Sequence, residues 1–212
     1  MAKVGVIEGK YKEGRLKLVP LYEIPKERDK LYEIYAEWLN QDFVRRGLGD
    51  NNTYTVKDVK EMLEDRASSK YDLHWIIYVE TGEKYVPVGD INLRRLSPEK
   101  YRNLLELYRR HDPSLDENSA KRTAEIAVLC AVEEYQRMRI STGAINAALE
   151  YIKRENIDTV YSNAFYDNIA SRRVHEKTGF NTIGRDTEKY GDEYRDILVY
   201  RKNLRDEEKQ DL

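Results

Sequence analysis

The chain has 212 residues and a formal net charge of −2, because 37 Lys and Arg nearly cancel 39 Asp and Glu. This balance excludes a polybasic nucleic-acid-binding tail, and the longest apolar runs, such as residues 126–132, are too short to cross a membrane. The single cysteine, Cys130, excludes intrachain disulfides and multi-cysteine zinc sites, so no metal is expected.

Hydrophobic periodicity predicts the elements of the first half of the chain. Alternation of apolar residues with charge indicates a strand, and apolar residues at i, i+3, i+4 and i+7 indicate a helix. Thr55, with Asp58 three residues on, is expected to cap a helix through a capping box. In chain order we predict a strand over 10–21, a helix over 27–40, a loop at 47–52, a helix after Thr55, and strands over 74–80 and 85–93.

The second half opens with Ser97 and Pro98, which are expected to begin a helix over 98–111. The run 123–132 is apolar at nearly every position after Glu125, as in a strand buried on both faces. The remaining predicted elements are a polar loop over 111–122, a helix over 141–154, a strand over 159–165, a helix over 168–178 ended by Gly179, and a hairpin of strands over 181–188 and 194–203. This order predicts a mixed α/β sheet in one domain, residues 1–205, with a tail over 206–212 that frays.

A candidate anion site lies where the apolar strand leads through a short turn into the helix near Ser141. Free N–H groups and the positive end of the helix dipole point at a ligand in such an arrangement. Arg137 and Arg139 add positive charge. The alternative is an ordinary strand–loop–helix crossover with solvated arginines.

Several segments together resemble a known family. They are AEIAVL, EYQRMRIS with TGAINAALEYI, and SNAFYDNIASRRVHEKTGFNTIGR, preceded in order by GRLKLVPL, WLNQDFVRRGLG, YTVKDVKEML and VPVGDINL. They resemble the GNAT superfamily of N-acyltransferases, most of all the branch that contains ribosomal-protein N-terminal and spermidine acetyltransferases. The resemblance extends over residues 14–203, and residues 168–180 are its most specific part.

The resemblance implies a fold and a reaction. The fold is a central, mostly antiparallel sheet with a splayed parallel strand pair, flanked by helices. The reaction is direct acetyl transfer from acetyl-CoA, a co-substrate, to a small-molecule or peptide amine: a protein N-terminus, a polyamine or a small amine. A backbone N–H of the central strand is expected to stabilise the developing oxyanion. We expect a cytoplasmic enzyme with no nucleic-acid or membrane partner, and a homodimer is left open.

The resemblance also implies which residues bind acetyl-CoA. Backbone groups of the central strand would hold the pantetheine arm, the loop before the helix would hold the pyrophosphate, and Asn168 would reach the ligand from the facing helix. The residues so implied are Leu129, Ala131, Gln136, Arg137, Met138, Arg139, Ile140, Ser141, Asn168 and Ser171.

The pyrophosphate loop departs from the family pattern at two positions. Arg139 and Ser141 stand where the family has Gly and then Gly or Ala, small residues that let the backbone approach phosphate closely. Arg139 either blocks the pyrophosphate or pairs with it. The first alternative favours a different function, a binding module that has kept the fold and lost acetyl transfer.

Two residues are candidates for proton transfer. His175 stands where many members of the superfamily have a tyrosine that protonates the departing thiolate; it lies seven residues after Asn168, on the same helical face. Glu125, at the start of the central strand, is either a general base acting through water or a strand-edge charge. The alternative for His175 is a histidine in an exposed helical turn with no role in the reaction.

Three other features are less specific. The helix over 98–111 is an insertion relative to the family and either covers the acceptor, packs a subunit interface or is a surface elaboration. Asp90 interrupts an apolar strand and faces either the acceptor amine or solvent. Cys130, in a buried strand, is interpreted as an apolar packing residue rather than a nucleophile.

Overall fold

The computed structural model describes residues 5–24 and 28–205. These residues form one eight-stranded sheet in the order β1-β2-β3-β4-β5-β6-β8-β7. Neighbouring strands are antiparallel except for the pair β5 and β6, which is parallel. The strands are β1 Ile7–Tyr11, β2 Gly14–Pro20, β3 Asp72–Thr81, β4 Lys84–Arg95, β5 Thr123–Cys130, β6 Thr159–Phe165, β7 Asn181–Tyr190 and β8 Glu193–Asn203. The predicted mixed α/β sheet with one parallel pair is confirmed.

Helices cover both faces of this sheet. They are α1 Arg28–Leu39, α2 Asp42–Leu48, α3 Val56–Ser68, α4 Arg102–His111, α5 Glu117–Ala120, α6 Ile140–Ile152 and α7 Ile169–Lys177, with short 3₁₀ turns at Leu21–Glu23 and Glu133–Tyr135. Because side chains alternate across a strand, Trp75 and Ile77 of β3 pack into the cluster under α6, while Ile76 packs under α1 and α3. A third cluster lies between α4 and the strands β6 and β8.

Most predicted elements are present, and several boundary signals are confirmed. Thr55 and Asp58 form the expected capping box at the start of α3. Gly179 has φ = 75° and ends α7 in the left-handed conformation that glycine adopts without strain. The predicted strand over 159–165 is β6.

Four local predictions were wrong. The strand over 10–21 is a hairpin, β1 and β2, that turns between Tyr11 and Gly14. The loop at 47–52 begins inside a helix, because Gly47 lies in α2 and the left-handed Gly49 (φ = 67°) ends it. Helix α4 begins at Arg102 rather than at Pro98. The polar loop over 111–122 contains the one-turn helix α5, capped by Asp116. The tail over 206–212 lies outside the described residues.

Candidate active site

Strands β5 and β6 run side by side for only three residues. Their pairs are Thr123 with Thr159, Ala124 with Val160 and Glu125 with Tyr161. Beyond Glu125, β5 stays paired with β4 as far as Cys130, while β6 stays paired with β8 as far as Phe165. A cleft of about 1180 Å³ opens between the separated strands. The predicted splayed parallel pair is therefore present.

The backbone of β5 presents alternate residues to this cleft. The Ile126 carbonyl faces β6, since it accepts a hydrogen bond of 2.8 Å from Ser162 Oγ. The Ala131 N–H faces the other way and donates to the Val88 carbonyl at 2.8 Å. The Leu129 carbonyl also faces β4, only 1.9 Å from the position that a Cβ on Gly89 would occupy.

The backbone groups of Leu129 and Ala131, which were predicted to hold the pantetheine arm, therefore face β4 and not the cleft. N–H and C=O groups alternate in direction along a strand, so those of Val128 and Cys130 share the direction of Ile126 and face the cleft. The sequence shows that β5 is buried but does not show which alternate set of its backbone groups lacks a neighbouring strand.

One half of the cleft is lined by cations at the start of α6 and along α7. Arg137, Arg139, Arg173 and Lys177 line it, and none of them has an ion pair within residues 5–24 and 28–205. Glu125 is the one acidic residue among the described residues that line the cleft. The first N–H groups of α6 have no partner within the helix, and its N-cap residue, Arg139, makes no side-chain cap bond. This half of the cleft is thus suited to a polyanion.

The loop before α6 has a glycine-like backbone without glycine. Arg137 and Arg139 have φ angles of 66° and 64°, in the left-handed region. The arginine backbone thus adopts the conformation that glycine would adopt, and the exposed Arg139 side chain extends at the edge of the cleft. Gln136, Ile140 and Ser141 also line the cleft.

Of three further residues that were predicted to bind acetyl-CoA, two line the cleft and one does not. Asn168 is the N-cap of α7: its Oδ1 accepts a hydrogen bond of 3.0 Å from the Ser171 N–H. Both residues line the cleft. Met138 does not line it; its carbonyl accepts from the Lys12 N–H at 3.4 Å, and its side chain packs against the core cluster under α6.

His175 is buried beneath α7 rather than exposed on a helical turn. Its Nδ1 lies 2.8 Å from the Ser171 carbonyl and its Nε2 lies 2.7 Å from Ser162 Oγ. The ring stacks on Tyr200 with centroids 4.4 Å apart. Burial lowers the pKa of His175 below its ordinary value, partly opposed by the bond to the Ser171 carbonyl. The histidine also lines the cleft, as does Ser162, which sequence reasoning missed.

Glu125 is buried and not a strand-edge charge. Its Oε2 accepts a hydrogen bond of 2.7 Å from Arg94 and its Oε1 accepts one of 3.1 Å from the Tyr108 hydroxyl. Glu125 raises the pKa of Arg94, and burial followed by Glu125 raises the pKa of Tyr108. Neither partner was predicted, because both are distant in sequence and reach Glu125 only through the fold.

Helix α4 lies beside the second half of the cleft. Leu104 lines it, and the Tyr108 ring stacks on Tyr161 with centroids 4.7 Å apart. Helix α2 also contributes to the lining, and the remaining lining is mostly apolar or aromatic. The lining residues of this half are Phe43, Val44, Gly47, Leu48, Arg94, Leu104, Glu125, Ala127, Asn163, Phe165 and Tyr190.

Asp90 and Cys130 lie in surroundings that suit a structural role and not a chemical one. Asp90 is buried, where it accepts a hydrogen bond from the Tyr35 hydroxyl and contacts His74 Nε2 at 3.0 Å, so it faces neither solvent nor the cleft. Burial raises the pKa of the Cys130 thiol to about 11, which leaves almost no thiolate at neutral pH. The interpretation of Cys130 as a packing residue is consistent with this.

Among the described residues, no cluster of His, Cys, Asp and Glu could hold a metal ion. Within the same residues, no helix is long and apolar enough to cross a membrane.

Comparison with known proteins gives a family and a fold. The family model described as an acetyltransferase (GNAT) domain matches residues 15–181. No curated protein sequence matches the chain.

Solved structures with the same fold include three acetyltransferases. A GNAT-family acetyltransferase from Bacillus anthracis is 18% identical, with a TM-score of 0.68 over 94% of this chain and 99% of that one. The Vibrio cholerae spermidine N-acetyltransferase, in complex with CoA and spermine, is 13% identical, with a TM-score of 0.67 over 90% and 96% of the chains. The Salmonella typhimurium enzyme that modifies the N-terminal serine of ribosomal protein L7/L12 is 14% identical, with a TM-score of 0.65 over 89% and 94%.

Proposed function

The chain belongs to the GNAT acetyltransferase family, and from that premise we propose that it moves an acetyl group from acetyl-CoA to a primary amine by direct attack. The observation that carries the proposal is the cleft between β5 and β6, which joins a cationic half to a half that holds one buried carboxylate. The two halves meet at the point where the strands separate. A donor and an acceptor that enter from opposite sides would meet there.

The residues present fit acetyl-CoA. Its diphosphate and ribose phosphate are a polyanion, which suits the unpaired Arg137, Arg139, Arg173 and Lys177 and the first N–H groups of α6. Backbone groups of β5 that face away from β4 would hold the pantetheine amides. When bound, acetyl-CoA supplies a thioester, whose carbonyl is open to attack by a neutral amine.

Glu125 is placed to receive the proton that the amine loses. Each carboxylate oxygen accepts one hydrogen bond, from Arg94 or from Tyr108, and keeps lone-pair capacity for a water molecule. Arg94 donates to the carboxylate at 2.7 Å, so a cation lies beside the group that would act as the general base. A backbone N–H of β5 that faces the cleft would stabilise the oxyanion, and no covalent enzyme intermediate is needed.

The second half of the cleft, beside α4 and here called the acceptor half, has a lining that favours one class of amine. Polycations such as polyamines are held by several carboxylates, but Glu125 is the one carboxylate that the described residues place in this half, and its charge is balanced by Arg94. Its walls are apolar and aromatic: Phe43, Leu104 and Phe165 are examples. These features support a single amine on an uncharged body, as in a peptide N-terminus or a small monoamine.

The alternative, a binding module without transfer activity, is favoured by one observation, the arginines in the glycine positions of the loop. The left-handed φ of Arg139 argues against it, because the backbone keeps the path that glycine would give. With this backbone conformation, the Arg139 side chain adds a positive charge and leaves the space beside the loop backbone open for the pyrophosphate.

The proposal is tested by calorimetry with acetyl-CoA, followed by a thiol-release assay with a panel of amines. We expect heat of binding, and CoA release with N-terminal peptides or small monoamines exceeding that with spermidine. Binding without release for every amine would support the binding module. Absence of binding at millimolar acetyl-CoA would overturn both functions.

A further inference from the structure

A chain of hydrogen bonds runs from α7 to the vertex of the cleft, which is the point at which β5 and β6 separate after Glu125 and Tyr161. It begins at the Ser171 carbonyl, 2.8 Å from His175 Nδ1, and continues from His175 Nε2 to Ser162 Oγ at 2.7 Å. It ends where Ser162 Oγ donates to the Ile126 carbonyl at 2.8 Å. These three contacts join α7, β6 and β5.

The number of protons on His175 and Ser162 decides how many of these three hydrogen bonds form at once. Both carbonyls only accept, so Nδ1 must carry a proton to bond with Ser171. The neutral imidazole then has no proton on Nε2, and the single hydroxyl proton of Ser162 serves either Nε2 or the Ile126 carbonyl. The imidazolium form of His175 supplies a second ring proton, and all three bonds then form at once.

Ser162 occupies the vertex itself. It directly follows Tyr161, the last residue of β6 that pairs with β5, and its hydroxyl bridges the gap that opens there. Ser162, Ile126 and His175 all line the cleft. The hydroxyl therefore lies between the buried ring and the space in which the two halves of the cleft meet.

We propose that Ser162 and His175 form a proton relay that protonates the thiolate leaving from acetyl-CoA. This inference rests on the proposed acetyl transfer. As the carbon–sulfur bond breaks, the sulfur keeps the electron pair and takes the Ser162 hydroxyl proton, and Ser162 Oγ takes the Nε2 proton of protonated His175. Neutral His175 regains its proton from solvent after release. Ser162 is the catalytic residue, and His175 is a positioning residue that acts through it.

The surroundings of His175 make its imidazolium form a stronger acid than usual and a minor species at neutral pH. The groups that face its ring are the stacked Tyr200 of β8, the edge-on Phe180 and Ser162. The charged neighbours Arg172 and Glu176, on its own helix, act on Tyr200. With burial as the main influence on the pKa of His175, the imidazolium is a minor form at neutral pH, and the contribution of the relay rises as pH falls.

The first arm of the test is kinetic and uses Ser162→Ala, His175→Gln and the double variant. We expect each single variant to lower kcat at least tenfold with the KM for acetyl-CoA changed less than twofold. The double variant should be no worse than either single variant, because both remove one relay. The matched control is Ser68→Ala, an exposed serine at the end of α3.

The second arm needs neither acetyl-CoA nor turnover. Nitrogen-15 NMR of the His175 ring should show the Nδ1–H tautomer in the neutral form. In Ser162→Ala the titration midpoint of His175 should fall, because the imidazolium loses the acceptor of its Nε2–H. A neutral Nε2–H tautomer, or an unchanged midpoint in Ser162→Ala, would overturn the relay.

The outcomes separate the two proposals. Wild-type transfer with unchanged kcat in Ser162→Ala would overturn the relay and leave the proposed function standing. Failure of the wild-type protein to transfer acetyl to any amine would overturn the proposed function and the relay with it.

Discussion

Arg137 and Arg139 hold a backbone conformation that glycine adopts without strain, with φ angles of 66° and 64°. For a residue with a side chain, the left-handed region costs roughly 1–2 kcal/mol. Both side chains nevertheless line the cleft without an acidic partner among the described residues. We interpret them as cations placed at the diphosphate position at a cost in stability.

Arg139→Gly should therefore change stability and binding in opposite directions. Relief of the left-handed strain is expected to raise the free energy of unfolding by about 1 kcal/mol, once the greater entropy of unfolded glycine is subtracted. Loss of a charge-assisted contact should weaken acetyl-CoA binding by about 1.5–3 kcal/mol. Denaturant unfolding and calorimetry measure the two effects.

The matched control is Arg139→Ala, which removes the charge and keeps the strained backbone. It should weaken binding as much as Arg139→Gly and bring no gain in stability. Tighter acetyl-CoA binding by either variant would mean that the arginine obstructs the site.

Helix α6 approaches strand β1 so closely that Gly143 has no room for a side chain. A Cβ at this position would lie 2.2 Å from the Lys10 carbonyl oxygen, and backbone cannot move aside as a flexible side chain does. Gly143→Ala should destabilise the protein by about 1–3 kcal/mol despite the better helix propensity of alanine. Chemical denaturation checks this, with the exposed Asn146→Ala of the same helix as the control, which should leave stability nearly unchanged.

Helix α4 is interpreted as a wall of the acceptor half, because Leu104 lines the cleft there. Leu104→Ala should raise the KM for the amine several-fold and leave the Kd of acetyl-CoA unchanged, since the cationic half is untouched. Steady-state kinetics and calorimetry separate these values. The exposed Asn103→Ala is the control, and an equal effect of both variants would place the acceptor elsewhere.

Two carboxylates at the ends of α4 attach it to the sheet. Burial alone would raise the pKa of Asp72, but hydrogen bonds from Lys100 and Tyr101 outweigh it and lower that pKa. The pKa of Asp112 is lowered in the same way, against burial, by bonds from groups that include Tyr161.

The sign of the pH effect follows from these lowered pKa values. A carboxylate whose pKa is lower in the folded state contributes stability above its ordinary pKa of 3.8 and loses it as pH falls through the folded value. Hydrogen exchange of α4, corrected for intrinsic rates, should therefore rise below about pH 4 earlier than that of α6. Asp72→Asn should show fast exchange in α4 at neutral pH, and equal protection there would contradict the attachment.

The molecule as a whole has a net charge of −2, and yet four cations with no ion pair among the described residues line one cleft: Arg137, Arg139, Arg173 and Lys177. Acetyl-CoA at about 100 times its Kd should stabilise the fold by about 2.7 kcal/mol, which for a chain of this size raises Tm by roughly 5–10 °C. Raising the salt concentration should weaken binding, because exposed charges are screened. A salt-independent Kd would show that the cations do not contact phosphate.

The sequence by itself determined the order of the elements and the signals that depend on a few neighbouring residues. The capping box of Thr55 and Asp58, the helix end at Gly179 and the strand β6 all follow from local chemistry. It also carried the family, since residues 168–180 are contiguous in the chain. One local signal that misled was a glycine: Gly47 is typical of a loop, but it lies in α2 with a helical backbone.

Only the tertiary structure decided which groups meet at the vertex of the cleft. Strand β6 leaves β5 after Tyr161, and that separation selects Ile126, rather than its neighbours, to turn its carbonyl toward Ser162. His175 reaches Ser162 across 13 positions and Arg94 reaches Glu125 across 31. Periodicity gives the face on which a side chain lies, but the partner on that face is fixed by strand register and by where two strands stop pairing, which are properties of the whole sheet.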